Sequence, residues 1–585
     1  MFKLYKKLRK RDWVLVAIII GLTILQVYCT MLMVDYIQYL IGAISGIYYQ
    51  LPGFSTADIW FNGGMMVLVA ASSMVCQIII EVLASYITAD FATSVRTELN
   101  NKITNFSLAE INKFSTASLI TRATNDIQQV DMCTLLMLRM VFAAPVTCIW
   151  AICKISATSY ELPLATGIAI VIMVIALALI MGSVLPQFKV MQKRVDKINS
   201  LTQENLSGIR VVRAFNAEAY QEDKFKKANV ALTKTQLFAG RVLALMSPVM
   251  TIIMNALTLI IYWLGATLIN ANTNNVNYAS LSAFSNLATQ IVMSFMMLLM
   301  MFVMWPRASV SAKRINEVLE TENSIVDPIE EKPLIEEGTV EFKDVSFRYP
   351  DAESDVLEHI SFKVKQGQTI AFIGPTGSGK STLVNLVTRL YDATEGEVLV
   401  DGVNIKDIKQ NTLRSHIGFV PQKGLLFSGT VRSNIGFGLD TKLSDEECKR
   451  ACDIACAEEF VEKMEGKYDA PIAQGGTNVS GGQRQRLCIA RAVAINPDIL
   501  VFDDSFSALD FKTDKTVREN LKNEESKATK LIVAQRIGTI MDADQIVVLQ
   551  EGKMMGIGTH EELLKNCSVY RDIALSQLSK EELGL

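Results

Sequence analysis

Long apolar runs fill the first half of the chain and alternate with polar, basic segments. A helix needs about 20 apolar residues to cross the hydrocarbon core of a bilayer. Four suitable runs carry no charge or only Arg139, and they are residues 13–34, 63–80, 132–153 and 162–188. Residues 242–306 are also uncharged, but the polar stretch 269–277 interrupts them. The pattern predicts six spans, with a hairpin between the fifth and the sixth.

Lysine and arginine give the orientation of these spans. Six basic residues precede the first span, whereas the connections at residues 46–62 and 269–277 contain none. Since short cytoplasmic loops retain basic residues, we expect a multi-pass protein of the cell membrane with both termini in the cytoplasm. The N-terminal segment is too short and too basic to be a cleavable signal. We predict an amphipathic helix at the membrane interface there.

Two polar segments between spans, residues 83–131 and 187–241, are patterned for helix and nearly free of Gly and Pro. At about 1.5 Å per residue, helical hairpins of this length project tens of ångströms beyond the bilayer. An acidic, proline-containing stretch follows the last span. The predicted organisation is a transmembrane domain at residues 1–320, a linker at 321–337 and a soluble domain at 338–585.

Composition fits this division and narrows the class of protein. Half of the residues are hydrophobic and a fifth are charged, and the net charge of −3 gives no argument for nucleic acid as a partner. The ten cysteines form no CxxC pair, which favours reduced, buried thiols over a disulfide framework. Cys448, Cys452 and Cys456 recur every four residues. With no histidine nearby, we predict a packed helix face and not a metal site.

The segment GPTGSGKST, directly after the strand-like residues 369–373, has the pattern of a phosphate-binding loop. Its glycines let backbone N–H groups face phosphate oxygens, Lys380 reaches the terminal phosphates, and the hydroxyl of Ser381 can ligate Mg²⁺. The predicted nucleotide-binding residues of this loop are Gly374, Pro375, Thr376, Gly377, Ser378, Gly379, Lys380, Ser381 and Thr382.

The segment VSGGQRQR, residues 479–486, lies just ahead of a second strand that ends in two acids. With it the chain resembles the ATP-binding cassette (ABC) family over essentially its whole length. In this resemblance Tyr349 stacks on adenine, Gln422 is the glutamine of the Q-loop, and Ser507 and Asp510 belong to the D-loop. The implied fold is an all-α six-helix transmembrane domain of the type I exporter (type IV ABC) kind, followed by an α/β P-loop nucleotide-binding domain.

The resemblance also implies cofactors, a partner and moving parts. ATP and Mg²⁺ are the expected ligands, with the metal at Ser381, Gln422 and Asp503. Six spans with one nucleotide-binding domain make a half-transporter, which pairs with a second half-transporter in the lipid bilayer. Residues 114–127 and 206–225 look like the two coupling loops of exporters.

A dimer also has a physical reason, because a P-loop supplies donors to only one side of a triphosphate. A serine and glycine N–H groups at a helix N-terminus suit the exposed γ-phosphate. In the family these come from the opposite subunit, so two ATP molecules lie between the two domains. The residues expected to act on the partner's site are Val479, Ser480, Gly481, Gly482 and Gln483.

Two residues depart from the family pattern at the hydrolytic site. Asp504 stands where the family has its catalytic glutamate, and Gln535 stands where it has a switch histidine. A general base must come within about 2.6–3.2 Å of the water it activates, and a misplacement of about 1 Å can cost on the order of a hundredfold in rate. Glutamine cannot change its protonation near neutral pH. An aspartate that still works as the base is the alternative, which Gln535 disfavours.

This combination predicts the degenerate-site subunit of a heterodimeric bacterial exporter of the multidrug type. The chain would bind ATP at a weakly active or inactive site and supply its signature to the partner's hydrolytic site. A homodimer is the less favoured assembly. A nucleotide-gated regulator or channel-like subunit without net pumping is a second interpretation.

The sequence says less about the transported substrate. The sixth span places Met293, Met297, Met300 and Met304 on one helical face, and flexible thioethers suit a promiscuous apolar pocket. Packing against lipid or the fifth span explains the same stripe. Asp35 and Glu81, in or beside spans, suggest tolerance of cationic amphipaths. Amphipathic small molecules, lipids or peptides are the expected classes of cargo.

Overall fold

The computed structural model describes residues 1–49, 55–156, 161–270, 278–524 and 527–583. Its contacts divide the chain into two compact units, each built from two stretches. The first unit comprises Met1–Lys102 and Ala117–Glu320, and the second comprises Ile103–Thr116 and Thr321–Leu585. The bounds expected from the sequence, with a transmembrane domain at 1–320, a linker at 321–337 and a soluble domain at 338–585, remain a prediction.

Helices make up the described secondary structure of the N-terminal half. They are α1 Phe2–Tyr5, α2 Lys10–Tyr48, α3 Thr56–Thr104, α4 Leu108–Phe114, α5 Thr116–Thr121, α6 Ile127–Leu136, α7 Ala143–Ser156, α8 Glu161–Ser207, α9 Ile209–Ala214, α10 Glu218–Ala244, α11 Met246–Asn270 and α12 Tyr278–Glu320. Two π-helical turns, Arg122–Asp126 and Met137–Val141, flank α6. Side chains of α2, α7, α8, α11 and α12 form the core of the first unit.

Six helical segments in the described ranges are long and apolar enough to cross a membrane, which confirms the predicted number of spans. They are Lys10–Tyr48, Thr56–Thr104, Thr116–Ile155, Leu162–Ser207, Glu218–Asn270 and Ala279–Leu298. At about 1.5 Å per residue, α8 alone is about 70 Å long, so it extends well past a hydrocarbon core of about 30 Å. Most of the predicted hairpin at 269–277 lies outside the described residues, as does the side chain of Met300.

Asp35 and Glu81, the two acids considered from the sequence, are each paired with a base. Nζ of Lys154 donates to Oδ1 of Asp35 at 2.6 Å, and Arg139 forms an ion pair with Glu81. The sequence expectation that Asp35 and Glu81 favour cationic cargo therefore loses its basis, because each carboxylate already has a cation beside it. Arg139 lies in the π-helical turn Met137–Val141 and Lys154 in the last turn of α7. The hydropathy pattern placed both bases in or beside the third span but did not show which acids they meet.

Two sheets with flanking helices form the second unit. The strands are β1 Val340–Phe347, β2 Leu357–Val364, β3 Thr369–Ile373, β4 Glu395–Val400, β5 Val403–Asn404, β6 Ile417–Val420, β7 Gly429–Thr430, β8 Pro471–Ile472, β9 Ile499–Asp503, β10 Thr529–Val533, β11 Gln545–Gln550 and β12 Lys553–Gly558. The helices are α13 Lys380–Val387, α14 Gln410–Ser415, α15 Val431–Ile435, α16 Asp445–Ile454, α17 Glu458–Glu462, α18 Gly481–Ala494, α19 Phe511–Glu524, α20 Ile537–Ile540, α21 His560–Asn566 and α22 Ser568–Leu575.

The order of the larger sheet is β12-β11-β3-β10-β9-β6, and the smaller sheet runs β2-β1-β4-β5. Strands β11, β3, β10, β9 and β6 pair in parallel, and their apolar residues read as continuous runs because both faces are covered. The parallel arrangement brings the carboxyl ends of β3 and β9 to one edge of the sheet. Cys448 and Cys452 of α16 are fully buried in the core beside it, as predicted for a packed helix face. Cys456 is not on that face, because α16 ends at Ile454, and it is partly buried against the same core.

Helix α4 packs within the second unit. Leu108 and Ala109 contact the apolar cluster that contains Tyr391, and Nδ2 of Asn112 donates to the hydroxyl of Tyr391 at 3.1 Å. The backbone N–H of Ser324 donates to Oε1 of Glu110 at 3.2 Å. These residues lie directly before the segment 114–127 that resembles a coupling loop, and α4 ends at Phe114, the first residue of that segment.

Candidate nucleotide-binding site

The predicted phosphate-binding loop connects β3 to α13. A Cβ on Gly374 would lie 2.0 Å from the backbone oxygen of Leu549, so that β11 leaves room only for glycine there. Gly379 caps α13 with φ +96°, and a Cβ there would lie 2.6 Å from Cδ2 of Leu357. Positive φ and close approach are the two conditions that demand glycine. The loop therefore has the strand, turn and helix that its sequence predicts.

Lys380 is folded back over this loop. Its Nζ donates to the carbonyl oxygens of Gly374 and Pro375 at 2.8 and 2.7 Å. Burial lowers the pKa of the Lys380 ammonium, while the carboxylates of Asp504 and Asp503 act in the opposite direction. The protein neighbours thus stabilise the ammonium only in part. Phosphate oxygens would stabilise it further through charge-assisted hydrogen bonds.

Ser381 and Asp503 form the oxygen pair expected at a magnesium site. Oγ of Ser381 donates to Oδ1 of Asp503 at 2.7 Å, and Asp503 is 7 % exposed at the end of β9. Burial raises the pKa of the Asp503 carboxyl, against the hydrogen bond from Ser381. Hydroxyl and carboxylate oxygens with substrate phosphates are the donor set that Mg²⁺ prefers, so these residues fit the ion. Their role as metal ligands remains a prediction, as does that of Gln422.

Tyr349 lies in an aromatic group beside α13. Its ring is perpendicular to those of Phe347 and Tyr391, with centroids 4.9 and 5.2 Å away. Its hydroxyl lies 2.9 Å from Oγ1 of Thr382, which connects the ring to the first turn after the phosphate-binding loop. The structure therefore brings together the residue predicted to stack on adenine and the loop predicted to hold the phosphates.

Asp504 is held by two glutamine side chains. Nε2 of Gln535 donates to its Oδ2 at 2.8 Å, and Nε2 of Gln422 donates to the same oxygen at 3.2 Å. Asp504 is 7 % exposed and has φ +47°, and burial raises its pKa although the bond from Gln422 opposes the shift. Both residues that depart from the family pattern thus meet in one hydrogen-bonded group with the predicted Q-loop glutamine.

The signature residues lie at the start of α18. Ser480 caps α18, with its Oγ accepting from the N–H of Gln483 at 3.2 Å and its own N–H donating to Oε1 of Gln483 at 2.9 Å. A Cβ on Gly481 would have no neighbour within 4 Å. Among the described residues, no hydrogen bond or ion pair joins Val479, Ser480, Gly481 or Gly482 to the phosphate-binding loop.

The D-loop residues have structural partners on either side of them. Oγ of Ser507 donates to the backbone oxygen of Asp504 at 2.7 Å. Asp510 accepts from the N–H and the hydroxyl of Thr513, at 3.1 and 2.7 Å, and so caps the start of α19. The bond from the Thr513 hydroxyl is the largest cause of the lowered pKa of Asp510. The loop is therefore fixed to the acid at position 504 by Ser507.

Gln485 was not singled out from the sequence, although it lies in VSGGQRQR. It is 2 % exposed, its Nε2 donates to the carbonyl of Pro421 at 3.2 Å, and its Oε1 accepts from the N–H of Gly424 at 3.1 Å. Hydrogen bonds from Gln485 of α18 thus hold the backbone at Pro421 and Gly424, before and after Gln422. A glutamine one turn after a helix start gives no sequence signal for such a role, since its partners are backbone atoms elsewhere in the fold.

Comparison with known proteins agrees with this geometry. Residues 357–507 match the ABC transporter family, and residues 16–295 match the ABC transporter transmembrane region. The chain is 40 % identical to an ABC transporter ATP-binding protein of Mycobacterium tuberculosis over 90 % of its own length and 91 % of that protein. It is 36 % identical to the ABC transporter ATP-binding protein YfiB of Bacillus subtilis, over 89 % and 90 % of the two chains.

A solved structure shows the same fold. A bacterial Atm1-family ABC exporter with ATP bound superposes with a TM-score of 0.79 at 23 % identity, over 97 % of this chain and 98 % of that one. The six apolar helices followed by an α/β nucleotide-binding domain thus form a type I ABC exporter fold, as predicted. Half-transporters of this kind act as dimers in a lipid bilayer. The chain belongs to the ABC transporter family and is a half-transporter subunit of an ATP-hydrolysing transporter.

Proposed function

We propose that this chain is the degenerate-site subunit of a heterodimeric exporter of the multidrug type. The observation that carries the proposal is the state of Asp504. It occupies the position of the general base with one methylene fewer than glutamate, and the amides of Gln422 and Gln535 both donate to its Oδ2.

Two features weaken Asp504 as a base, namely the two amide donors on one of its oxygens and the short length of its side chain. Both amides donate to Oδ2, so that of the two carboxylate oxygens Oδ1 is left to accept the proton of an attacking water. The shorter side chain also withdraws the carboxylate by about one C–C bond, and a misplacement of about 1 Å can cost on the order of a hundredfold in rate. ATP bound by Tyr349, Lys380 and Ser381 would then be held with little or no hydrolysis.

The signature supports the second half of the proposal. Ser480 caps a long helix whose first residues Gly481 and Gly482 have no crowding side chain in front of them. Such a helix start binds an anion through its free N–H groups. In the assembly we propose, this surface completes the ATP site of a different half-transporter, which carries its own intact base.

The assembly lies in the cell membrane with both termini and the nucleotide-binding domain in the cytoplasm, the side on which ATP is available. We propose amphipathic small molecules, lipids or peptides as cargo. The exposed side chains of Met293 and Met297 on α12 support an adaptable apolar surface. The neutral pairing of Asp35 and Glu81 removes the reason to favour cations.

The test has two steps. The chain is first purified from its native membranes with the subunit that accompanies it, and the partner is identified by mass spectrometry. ATP hydrolysis by the complex is then compared for Asp504→Ala and Ser480→Arg. We expect Asp504→Ala to retain most of the activity, and Ser480→Arg to abolish it by blocking the partner's site.

The opposite ranking would overturn the proposal, as would purification of a homodimer with full activity. Stimulation of hydrolysis by candidate cargo would separate a pump from a nucleotide-gated subunit, because a gate has no reason to turn over ATP faster when cargo is present.

A further inference from the structure

We propose that Gln577, in the C-terminal tail, is a positioning residue for the ATP site. Its side chain bonds to the backbone on both sides of Arg536. Nε2 donates to the carbonyl oxygen of Gln535 at 2.8 Å, and Oε1 accepts from the N–H of Ile537 at 2.8 Å. One amide group thereby fixes the segment that carries Gln535, which we name the switch segment (residues 534–537).

The switch segment needs this support at its downstream end. Its upstream end is already held by the sheet, because the N–H of Ala534 donates to the carbonyl of Phe372 at 3.1 Å. Arg536 precedes the short helix α20 as its N-cap but makes no side-chain cap bond. Gln577 supplies an acceptor to the first N–H of α20, which is one of the N–H groups that have no partner within a helix.

Gln577 lies just after helix α22, which packs in the core of the second unit. Helix α22 is anchored by Tyr570 and Ala574, both fully buried. The N–H groups of Gln577 and Leu578 both donate to the carbonyl of Ala574, at 3.1 and 2.9 Å. Fastening the tail is the plainer role for the Gln577 side chain, but the tail is already secured by these contacts. The two side-chain bonds therefore act on the switch segment more than on the tail.

The consequence reaches the site through a single residue. With its backbone fixed at 535–537, Gln535 keeps Nε2 within 2.8 Å of Asp504, at the position that the family resemblance assigns to the residue beside the γ-phosphate. Release of the backbone would let Gln535 move, so that nucleotide at this chain's own site would be held less firmly. This inference concerns retention of nucleotide and holds whether or not the site hydrolyses ATP.

The experiment measures release of a photoreactive, non-hydrolysable ATP analogue from the full complex in lipid nanodiscs. Bound analogue is chased with ATP for increasing times and then crosslinked, and mass spectrometry quantifies the label on the peptide that contains Tyr349, which reports this site alone. We expect Gln577→Ala to release the analogue about five- to tenfold faster, as the loss of one or two hydrogen bonds predicts. Gln577→Glu keeps the acceptor for Ile537 and should show a smaller increase.

A double-mutant cycle separates positioning from general stability. If Gln577 acts through Gln535, then Gln535→Ala should speed release by a similar factor, and Gln577→Ala with Gln535→Ala should be no faster than either alone. Lys580→Ala, on the same exposed tail, is the control and should leave release unchanged. The thermal midpoint of the nucleotide-free complex should be the same for all variants.

Unchanged release in Gln577→Ala would overturn the inference, and so would additive effects in the double variant or a lowered thermal midpoint without faster release. Should Gln577→Ala fail to fold, the same-sized Gln577→Glu gives the decisive comparison. A failure of the degenerate-site proposal would show instead as hydrolysis at this site, which the non-hydrolysable analogue does not report.

Discussion

Repair of the hydrolytic site is the prediction that most sharply separates the two departures. In Asp504→Glu the carboxylate gains one methylene, about 1.5 Å, which brings it back within reach of the attacking water. In the present structure Nε2 of Gln535 lies 2.8 Å from Oδ2 of Asp504, and in Asp504→Glu the same amide would remain as a donor to the longer carboxylate. Gln535→His would remove that donor and supply an imidazole toward the γ-phosphate. We expect less than about a threefold gain from either substitution alone and roughly ten- to a hundredfold from the pair, because residues that act as a unit are strongly non-additive.

The assay is phosphate release by the complex in which the partner's own general base has been changed to glutamine, so that only this chain's site can report. Asp504→Asn with Gln535→His is the matched control, since it has the imidazole and no carboxylate, and it should stay at background. A double variant no more active than that control would refute the reasoning. Low hydrolysis at this site would then result from the residues that the partner contributes to it, and Asp504 would not be its cause.

Three further predictions follow from other parts of the fold. Because burial raises the pKa of Asp503 and Mg²⁺ binds only the carboxylate, affinity for Mg²⁺·ATP should begin to fall at a higher pH than it would with an aspartate of ordinary pKa. Titration calorimetry over a range of pH checks this direction, and Asp503→Asn is the control, whose affinity should be weak and should change little with pH. Gly379→Ala, at φ +96° and with its Cβ 2.6 Å from Leu357, should weaken ATP binding about tenfold or more, whereas Gly377→Ala, with no atom within 4 Å, should suffer from its φ of +86° alone. Lys154→Met should lower the thermal midpoint in nanodiscs by roughly 2–5 °C by leaving Asp35 without its cation, and adding Asp35→Asn should restore most of it; equal destabilisation by the single and double variants would count against the pair.

The sequence was sufficient for features that depend on local pattern. Uncharged runs predicted six spans because the bilayer fixes their length, and the glycines of the phosphate-binding loop predicted the turn between β3 and α13 because few other residues tolerate it. It could not show which distant groups meet. The bases beside Asp35 and Glu81, the docking of α4 before residue 114, and the backbone partners of Gln485 and Gln577 all arise from chain crossings that leave no periodic signal.

The surroundings of Asp504 show the same limit in finer detail. Asp504 and Gln535 were recognisable one by one as departures from a family pattern. That both amides, from Gln422 and Gln535, converge on one oxygen of Asp504 required the geometry of three separate loops. Gln535 therefore differs from the family's histidine in more than its titration, because its amide donates to one oxygen of Asp504.

The most direct measurement of the central claim is the fate of labelled ATP at each of the two sites during turnover. The working complex is loaded with labelled ATP, allowed to hydrolyse unlabelled ATP, and then crosslinked and separated by subunit. We predict that intact labelled ATP stays on the Tyr349 peptide of this chain through many cycles of hydrolysis at the other site. Loss of label from both sites at one common rate, with labelled ADP appearing at each, would contradict the assignment of this chain as the degenerate-site subunit.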